Sequence, residues 1–307
     1  MTLFGERYEV GALIGAGGMS DVFVAKDLRL NREVALKVLR SDLNREQTFV
    51  TRFRKEALAA AGLSHPGIVA VYDSGESPAP YIVMELIQGK TLRDLIDGPI
   101  DSKLAIQIAE GILQALAYSH SNGIVHRDIK PANVMYEPEA DQVKVADFGI
   151  ARITDSSKTK TGMVLGTPSY MSPEQLSGKK VEGASDMFSL GVTLLMLATG
   201  RHPLRDMKPE DMTSRRLEVG SFEAMASGLR LTTTMTELIR GLLVDSRRER
   251  WNLSDLAQWA VDGRRPNPPR VTQPKVAGRP IKIGSAEALT ARSLAFQLAR
   301  NWDHGGK

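Results

Sequence analysis

The sequence predicts an α+β fold in two lobes, a small lobe rich in β-strands with one helix and a larger helical lobe. Short, β-like apolar runs dominate residues 1–87 and are interrupted by a single helical stretch near residues 46–61. Between residues 88 and 262, apolar side chains recur at helical spacing instead. With 42% apolar residues among 307, the chain is large enough to bury a core in each lobe.

Five runs in the small lobe are typical of strands: YEVGALIG, DVFVAKD, EVALKVL, IVAVYDS and PYIVMEL. Across the first two, the stretch IGAGGMSDVFVAKD (residues 14–27) places three glycines within four positions. Glycines allow backbone amides to approach a ligand closely, and a hairpin with exposed N–H groups suits phosphate. Because most short glycine-rich stretches are only turns, this motif needs support from the rest of the chain.

Two charged residues of the small lobe gain meaning when they are taken together. Lys37 lies on the strand EVALKVL between apolar neighbours, where a lone lysine usually points to solvent. Glu56 lies on the helix that follows, where an ordinary surface carboxylate is the simplest interpretation. If this helix packs on the sheet, one charge holds the other in place against a nucleotide phosphate. We therefore expect an ion pair between Lys37 and Glu56.

The large lobe contains one amphipathic helix and one that is nearly all apolar. Asp101 is placed to cap the first of them. Its inward stripe consists of Leu104, Ile108, Ile112, Ala115 and Ser119. The second helix, residues 184–199, has so few polar side chains that it must be buried.

The segment GIVHRDIKPANVMY, residues 123–136, concentrates charged and polar groups around Pro131, which prevents a continuous helix. A phosphoryl acceptor hydroxyl needs a carboxylate that orients it and takes its proton, a role that Asp128 can fill. Lys130 can neutralise charge on the transferred group, and Asn133 offers an oxygen to a metal ion. A merely polar loop is the alternative. Five specific residues at fixed spacing argue against it: His126, Arg127, Asp128, Lys130 and Asn133.

Asp147 follows an apolar strand and precedes Phe148 and a glycine in VADFGIAR. A carboxylate at a strand end can face a cleft and bind Mg²⁺, which prefers hard oxygen donors. A turn aspartate before glycine is the simpler interpretation. With Asn133 on the same cleft, the two side chains would hold two metal ions. The residues that follow, up to SPEQ, are rich in Thr, Ser, Gly and Lys and predict a long loop.

The last 45 residues differ in composition from the rest of the chain. Five of the fifteen prolines fall in residues 263–284, which predicts an extended basic linker, and residues 285–307 predict an amphipathic helix and tail. Nine basic and two acidic residues give residues 263–307 a charge of +7, which leaves −3 for the remainder of a chain of net charge +4. We therefore expect no nucleic-acid surface on the main domain, and membrane contact only through the basic tail.

The order of the motifs carries more information than any one of them. Along the chain occur GAGGMSDV, VALK, HRDIKPAN, DFG, GTPSYMSPEQ and SDMFSLG. From residue 8 to about residue 260, this series resembles the Hanks-type serine/threonine protein kinases, and most closely their bacterial receptor-kinase branch. The resemblance implies a two-lobed kinase fold and transfer of the γ-phosphoryl group of ATP, with Mg²⁺ or Mn²⁺, to Ser and Thr hydroxyls of proteins.

The resemblance also assigns roles to individual residues. It makes Asp128 the catalytic base and Lys130 the charge stabiliser, and Lys37, held by Glu56, a contact of the ATP phosphates. Asn133 and Asp147 become the metal ligands. The residues implied to surround the nucleotide are Ile14, Gly15, Ala16, Gly17, Gly18, Val22, Ala35, Met84, Glu85 and Ile87. Met84 would guard the back of the adenine pocket, while the backbone of Glu85 and Ile87 would bind the base.

Regulation and assembly follow from the same resemblance. Thr159 and Thr161 occupy loop positions that bacterial members autophosphorylate, and a phosphate there would neutralise the positive charge of Arg127. Family members also pair back to back through their small lobes, at positions that Arg7, Leu30 and Asp73 match. Such pairing predicts a homodimer that activates in trans.

Three departures from the family pattern affect these expectations. Ser20 replaces the third glycine of the glycine-rich motif, which reduces the flexibility of that loop. Ser172-Pro173-Glu174 replaces Ala-Pro-Glu. Glu174 should still form a structural ion pair with Arg250, although VDSRRERW is one residue longer than the usual pattern and Arg247 or Arg248 are alternatives.

Two rival interpretations share the fold. A pseudokinase would lack one of Lys37, Asp128, Asn133 or Asp147, all of which are present here. A small-molecule phosphotransferase would lack the long threonine-rich loop and SPEQ. The absence of cysteine and of an apolar N-terminal run favours a cytoplasmic protein. A location at the cytoplasmic face of a membrane is the alternative if the chain is cut from a receptor kinase.

Overall fold

The computed structural model describes residues 2–98, 100, 102–148, 168–200 and 233–256. Six antiparallel strands of the small lobe form one sheet, in the order β1-β2-β3-β4-β6-β5. They are β1 (Leu3–Phe4), β2 (Tyr8–Ala16), β3 (Ser20–Asp27), β4 (Arg32–Leu39), β5 (Val71–Gly75) and β6 (Tyr81–Met84). The two-residue β1 is too short to produce an alternating pattern, and it was not predicted.

One helix, α1 (Gln47–Ala61), packs against this sheet. Its buried side chains include Val50, Phe53 and Ala57, which recur at three- and four-residue spacing and so share one face. They form an apolar cluster with Leu39 of β4 and Ile82 of β6. Since Glu56 neighbours Ala57 on the same helix, this packing brings its carboxylate to the sheet, as the sequence predicts.

The large lobe is mainly helical and has a second, three-stranded sheet. Its helices are α2 (Leu92–Leu95), α3 (Ser102–Ser121), α4 (Pro173–Leu176), α5 (Gly183–Thr199) and α6 (Thr233–Leu242), and its strands are β7 (Lys90–Thr91), β8 (Val134–Glu137) and β9 (Gln142–Val145). Every residue of α5 from Ser185 to Leu197 is buried. This helix packs against α3 and α6, so the nearly all-apolar segment is buried, as predicted.

The two lobes are fastened together by backbone hydrogen bonds just before β5. Val145 of β9 donates its N–H to the Gly67 carbonyl at 2.8 Å and accepts from the Val69 N–H at 3.0 Å. Ile68 therefore bridges to Val145 rather than extending β5. This explains why β5 begins three residues later than the run IVAVYDS suggests. It also places the residues after β9 beneath the small lobe.

Several predicted features lie outside the described residues. These are the Asp101 cap, the linker 263–284 and the helix and tail 285–307. Within the described ranges, no helix combines the length and the apolarity needed to cross a lipid bilayer.

Candidate functional site

The glycine-rich motif forms the hairpin between β2 and β3. Gly17 donates its N–H to the Ser20 carbonyl at 3.0 Å, and a Cβ added to Gly17 would lie 2.8 Å from that oxygen. The tight turn therefore requires glycine at this position. A Cβ added to Gly18 would meet nothing within 4 Å, and Ile14 and Ala16 are exposed. The tip of this hairpin is thus open to a ligand.

Lys37 lies at the centre of a three-membered charge cluster. Its Nζ is 2.6 Å from Oε1 of Glu56 and 2.7 Å from Oδ1 of Asp147. The first contact joins β4 to α1, and the second joins the small lobe to the segment that follows β9. Asp147 has φ of +57°, a left-handed backbone conformation that residues other than glycine rarely adopt. The cluster therefore brings together three residues that the sequence places 19 and 110 positions apart.

Opposite charges determine the ionisation of this cluster. Burial opposes the charge of Lys37, but the carboxylates of Asp147 and Glu56 outweigh it and raise the pKa of the ammonium. Burial likewise disfavours the Asp147 carboxylate, and the attraction and hydrogen bond of Lys37 hold the pKa of that group below its ordinary value. Both groups are charged at neutral pH.

The loop between α3 and β8 brings Asp128, Lys130 and Asn133 into direct contact. Nζ of Lys130 lies 2.9 Å from Oδ2 of Asp128. Nδ2 of Asn133 donates to the same carboxylate oxygen at 2.8 Å and to the Asp128 carbonyl at 2.9 Å. Pro131–Asn133 form a single 3-10 turn, so Pro131 excludes an α-helix here, as predicted. Asp128 and Asn133 are both buried, which fixes their side chains.

Asn133 and Asp147 lie on two segments that are joined by a backbone hydrogen bond. The Ala146 N–H donates to the Asn133 carbonyl at 2.9 Å, which places residue 147 beside the loop. Because both hydrogens of Asn133 Nδ2 are bonded to Asp128, the carboxamide oxygen faces away from that residue. A carboxylate and an amide oxygen are donors that Mg²⁺ and Mn²⁺ accept. The donor set therefore fits a hard divalent cation.

A small pocket opens between α1 and the sheet, behind the charge cluster. Met84, Val71 and Phe148 contribute to its lining, together with Lys37 and Asp147. Ala35 and Val22 line up beside it on neighbouring strands, because Ala35 is the register partner of Met84 and Val22 is that of Lys37.

Residues 85–87 begin the connection between the lobes. The Glu85 N–H donates to the Ala70 carbonyl at 2.9 Å, and Ile87 is buried. The Glu85 carboxylate has a role that the sequence did not suggest. Its Oε1 lies 2.7 Å from Nζ of Lys144 on β9, and its Oε2 accepts from the Ala70 N–H at 3.3 Å.

Asp186 on α5 is a further residue that sequence reasoning missed. Its buried carboxylate accepts hydrogen bonds from the backbone N–H groups of His126 at 2.8 Å and Arg127 at 2.6 Å. The ring of His120 donates to it as well, at 2.8 Å. SDMFSLG was part of the motif series, but no role was assigned to its aspartate. The sequence did contain a signal for this role, since an acidic residue in a nearly all-apolar, buried helix must be hydrogen-bonded.

His126 occupies the space beneath the same loop. Its Nε2 lies 3.0 Å from the Ala146 carbonyl, which can only accept, so the ring donates from Nε2 and is free to accept at Nδ1. The Asp128 N–H donates to this Nδ1 at 3.2 Å. The ring also packs on Phe148 with centroids 4.5 Å apart. Burial lowers the pKa of His126, so the neutral tautomer is favoured.

A second ion pair, remote from the cleft, stabilises the segment 172–176. The Arg250 guanidinium contacts both oxygens of Glu174, at 2.7 and 3.0 Å. It also donates to three backbone carbonyls, those of Ala184, Val244 and Asp245. Arg250 is thus the partner of Glu174, as expected, while Arg247 instead reaches the Lys180 carbonyl. The pair anchors α4 in the large lobe.

The remaining predicted residues lie at the back of the small lobe or outside the described ranges. Arg7 contacts Asp27 at 2.7 Å and Asp73 at 3.4 Å, and Leu30 is 58% exposed. These contacts are internal to one chain. Thr159 and Thr161 fall outside the described residues.

Comparisons with known proteins agree with this geometry. The family model described as protein kinase domain matches residues 8–260. Serine/threonine-protein kinase PknB of Mycobacterium leprae is 54% identical over 207 residues, which cover 64% of this chain and 33% of the relative. A probable serine/threonine-protein kinase of Streptomyces coelicolor is 51% identical over 209 residues, or 65% and 31% of the two chains.

A probable serine/threonine-protein kinase of Corynebacterium efficiens is 49% identical over 214 residues, which cover 66% of this chain and 32% of the relative. The matched part of the chain thus spans about a third of the length of these curated relatives. The family match covers most of the chain. This chain therefore belongs to the protein kinase family, in its bacterial Hanks-type serine/threonine branch.

Proposed function

We propose that this chain transfers the γ-phosphoryl group of ATP to serine and threonine hydroxyls of proteins, with Mg²⁺ or Mn²⁺ as the metal ion. One observation carries the proposal. Lys37 pairs with Asp147, and the N–H of the adjoining Ala146 donates to the Asn133 carbonyl. Asn133 donates in turn to Asp128, so these contacts link the ammonium proposed to bind phosphate to the proposed proton acceptor. The relatives that carry the same fold are named serine/threonine-protein kinases, which supports this assignment.

Asp128 would orient the acceptor hydroxyl and take its proton as the new P–O bond forms and the bond between the γ-phosphorus and the bridging oxygen breaks. Its carboxylate is held by Asn133 and Lys130, so it is already aimed before substrate binds. Lys130 is close enough to neutralise charge on the transferred group. The γ-phosphoryl group passes from ATP to the oxygen of the protein hydroxyl, and ADP is the leaving group.

Lys37 would bind the ATP phosphates, and Glu56 would keep its ammonium in place while it does so. Asn133 and Asp147 would hold the divalent cation. A cation bound there supplies charge neutralisation on the phosphate oxygens. The hairpin tip, residues 14–18, would cover the phosphates with its backbone N–H groups.

The adenine base would lie between the lobes. Ala35 and Val22 would pack on it, and Met84 would close the back of the pocket. The Glu85 N–H is already bonded to Ala70, so the Glu85 carbonyl and the Ile87 N–H are the groups assigned to the base.

Autophosphorylation of Thr159 and Thr161 would activate the enzyme by neutralising Arg127, which directly precedes Asp128. Substitution of both threonines by alanine is expected to lower activity towards a protein substrate. An unchanged rate in the double variant would contradict this mechanism.

Assembly, location and domain limits extend the proposal. A back-to-back homodimer through Arg7, Leu30 and Asp73 would serve activation in trans. The kinase domain would comprise the lobes 1–87 and 88–262, followed by the linker 263–284 and the segment 285–307. The basic tail would give contact with anionic membranes, at the cytoplasmic face, that weakens as salt is raised.

Mass spectrometry of the purified chain after incubation with ATP and Mg²⁺ tests the function most directly. We expect phosphate on serine and threonine residues of the wild type, including Thr159 and Thr161, and none on Asp128→Asn. Parallel assays with a generic basic protein and with free threonine separate a protein kinase from a metabolite kinase. Phosphorylation of free threonine alone would refute the proposal.

A further inference from the structure

Gln175 connects two parts of the large lobe that the proposed mechanism treats separately. It lies on α4, three residues after the N-cap Ser172. Its Oε1 accepts from the Ser172 N–H at 2.9 Å, and the Ser172 hydroxyl accepts from the Gln175 N–H at 3.4 Å. Its Nε2 points the other way and donates to the Arg127 carbonyl at 2.8 Å. One side chain thus caps α4 and contacts the loop that carries Asp128.

The partners determine which end of the Gln175 amide faces which residue. The Ser172 N–H can only donate, and the Arg127 carbonyl can only accept. A flipped amide would set NH₂ against N–H and oxygen against oxygen, so both contacts would be lost. The hydrogen bond to Arg127 therefore requires the amide nitrogen of glutamine.

The contact is made to the peptide group that links Arg127 to Asp128. The carbonyl of this peptide accepts from Gln175, and its N–H donates to Nδ1 of His126 at 3.2 Å. Both ends of the peptide plane are therefore held by side chains. Arg127 has φ of +69°, a strained conformation for a residue other than glycine, which persists only where the surrounding contacts enforce it. Asp186 fixes the preceding peptide by accepting from the Arg127 N–H at 2.6 Å.

The other end of the connection cannot easily move. Ser172 is fully buried, and Glu174 is bound by Arg250 and by the Ser185 hydroxyl at 2.6 Å. The backbone from which Gln175 projects is therefore fixed to the core of the large lobe. Because Gln175 projects from this fixed backbone, its hydrogen bond to the Arg127 carbonyl restricts rotation of the next residue, Asp128.

We propose that Gln175 is a positioning residue for Asp128, acting through the Arg127–Asp128 peptide. This inference rests on the proposed role of Asp128 as the base. It makes α4, in addition to Asn133 and Lys130, responsible for aiming the carboxylate. Gln175 itself touches neither the nucleotide nor the acceptor in this assignment.

The variant Gln175→Glu tests the proposal with the smallest change of shape. Glutamate keeps an oxygen that accepts from the Ser172 N–H, and it is the usual residue at this position of a capping box. Its second oxygen faces the Arg127 carbonyl without a hydrogen to donate. We expect the single-turnover rate of phosphoryl transfer to fall about tenfold. The Arg127–Asp128 peptide loses a neutral hydrogen bond, and its carbonyl is repelled by the new carboxylate. The KM for ATP should stay within about twofold of wild type, because the nucleotide contacts are untouched.

Ser172→Ala is the matched control. It removes the hydroxyl that caps α4 and that also donates to Oε1 of Gln175 at 3.0 Å. The N–H of residue 172, which donates to the same oxygen at 2.9 Å, is kept, and so is the Gln175 amide nitrogen that bonds to Arg127. We expect this variant to melt at a lower temperature than wild type while its single-turnover rate changes by less than about twofold. Each rate is divided by the concentration of folded enzyme, which is measured by titration with nucleotide. Intact-mass measurement ensures that all variants are compared in the same phosphorylation state.

The outcomes separate this inference from the function on which it rests. An inactive wild type would remove the proposed function itself. An active wild type with an equally fast Gln175→Glu variant would refute the positioning role alone, and so would a rate loss in Ser172→Ala as large as that in Gln175→Glu. Gln175→Met, which removes both contacts at similar volume, provides the same comparison if the glutamate variant does not fold. In that case the methionine variant must lose rate per folded molecule for the proposal to stand.

Discussion

The two main ion-pair systems of this molecule have similar chemistry and different surroundings. Lys37 shares its charge between Glu56 and Asp147, and the Asp147 side chain remains 37% exposed. Arg250 is 0% exposed, and its partner Glu174 is 5% exposed. The first system joins the lobes at the edge of a cleft, whereas the second lies inside one lobe. Exposure therefore separates a charge that can exchange its partner for a ligand from one that cannot.

The number of backbone partners separates them further. The Arg250 guanidinium donates to three carbonyls in addition to Glu174, so its removal leaves several buried acceptors without a donor. The two ion pairs of Lys37 are with carboxylates, which can take up protons or bind a cation instead. We expect substitutions in the first system to change rates and substitutions in the second to change stability. Four experiments test that distinction, in order of decreasing effect.

Lys37→Met should lower phosphoryl transfer about 10²–10³-fold, the usual effect of removing one charge-stabilising donor. The expected loss of stability is smaller than that of Arg250→Met. Lys37→Met also leaves two carboxylates without their cation, but the Asp147 side chain is 37% exposed and can be solvated, whereas Glu174, the partner of Arg250, is 5% exposed. Steady-state kinetics and a urea unfolding curve measure the two effects. Retention of nucleotide-dependent turnover would eliminate the proposed contact of Lys37 with phosphate.

Arg250→Met should lower the free energy of unfolding by about 3 kcal/mol, because it leaves a buried carboxylate and buried carbonyls without their donor. Trp251 is buried next to this site, so tryptophan fluorescence reports the transition. Turnover per folded molecule should remain close to that of wild type. A rate loss comparable to that of Lys37→Met, with normal stability, would reverse the assignment of the two systems.

Glu56→Gln should have an intermediate effect on the first system alone. The amide can still accept from Lys37 but no longer attracts its charge, and hydrogen bonds to charged groups contribute about 1.5–3 kcal/mol. We expect a rate loss of about tenfold with little change in the unfolding midpoint. Equal losses in Glu56→Gln and Glu56→Ala would mean that charge, rather than the hydrogen bond, matters at this position.

The pH dependence of stability should show the smallest effect. Burial raises the pKa of Glu174, but the hydrogen bond and charge of Arg250 outweigh it, so the folded-state pKa lies below the ordinary 4.5. Below the ordinary pKa the unfolded state therefore binds more protons than the folded state. The contribution of this pair is complete above that pH and is lost as pH falls through the folded-state pKa. Urea unfolding between pH 7 and pH 3 measures this effect. The difference in the free energy of unfolding between wild type and Glu174→Gln should shrink as the pH falls, and a constant difference would contradict the prediction.

The sequence predicted the parts of the site whose residues belong to ordered motifs. The strands β2, β3, β4 and β6, the helices α1 and α5, and the Lys37–Glu56 pair lie where their patterns indicate, because burial periodicity is a local property of the chain. Arg250 could be placed only among three arginines, since the register of VDSRRERW depends on how the chain enters the core. The structure resolves that register through the contact with Glu174.

The contacts that the sequence did not reveal are those between side chains and a distant backbone. Asp186 binds amides 60 and 59 residues away, and Gln175 binds a carbonyl 48 residues away. Almost every residue has the same backbone N–H and carbonyl groups, so no sequence pattern identifies the side chains that bind them. Lys144 and Glu85 were missed for a related reason, because two charges 59 residues apart have no periodicity to connect them.

The bridge between Ile68 and Val145 gives the molecule a pivot. Two backbone bonds at Val145 keep that edge of the small lobe fixed to the large one. In the sheet, β6 and β4 separate this edge from the β2–β3 hairpin. If one lobe rotates on the other about this bridge, a strand is displaced more the farther it lies from β5. The β2–β3 hairpin is therefore displaced more than β4. The tip travels farthest while Lys37, on β4, moves less, so nucleotide could enter and leave with little disturbance of the charge cluster.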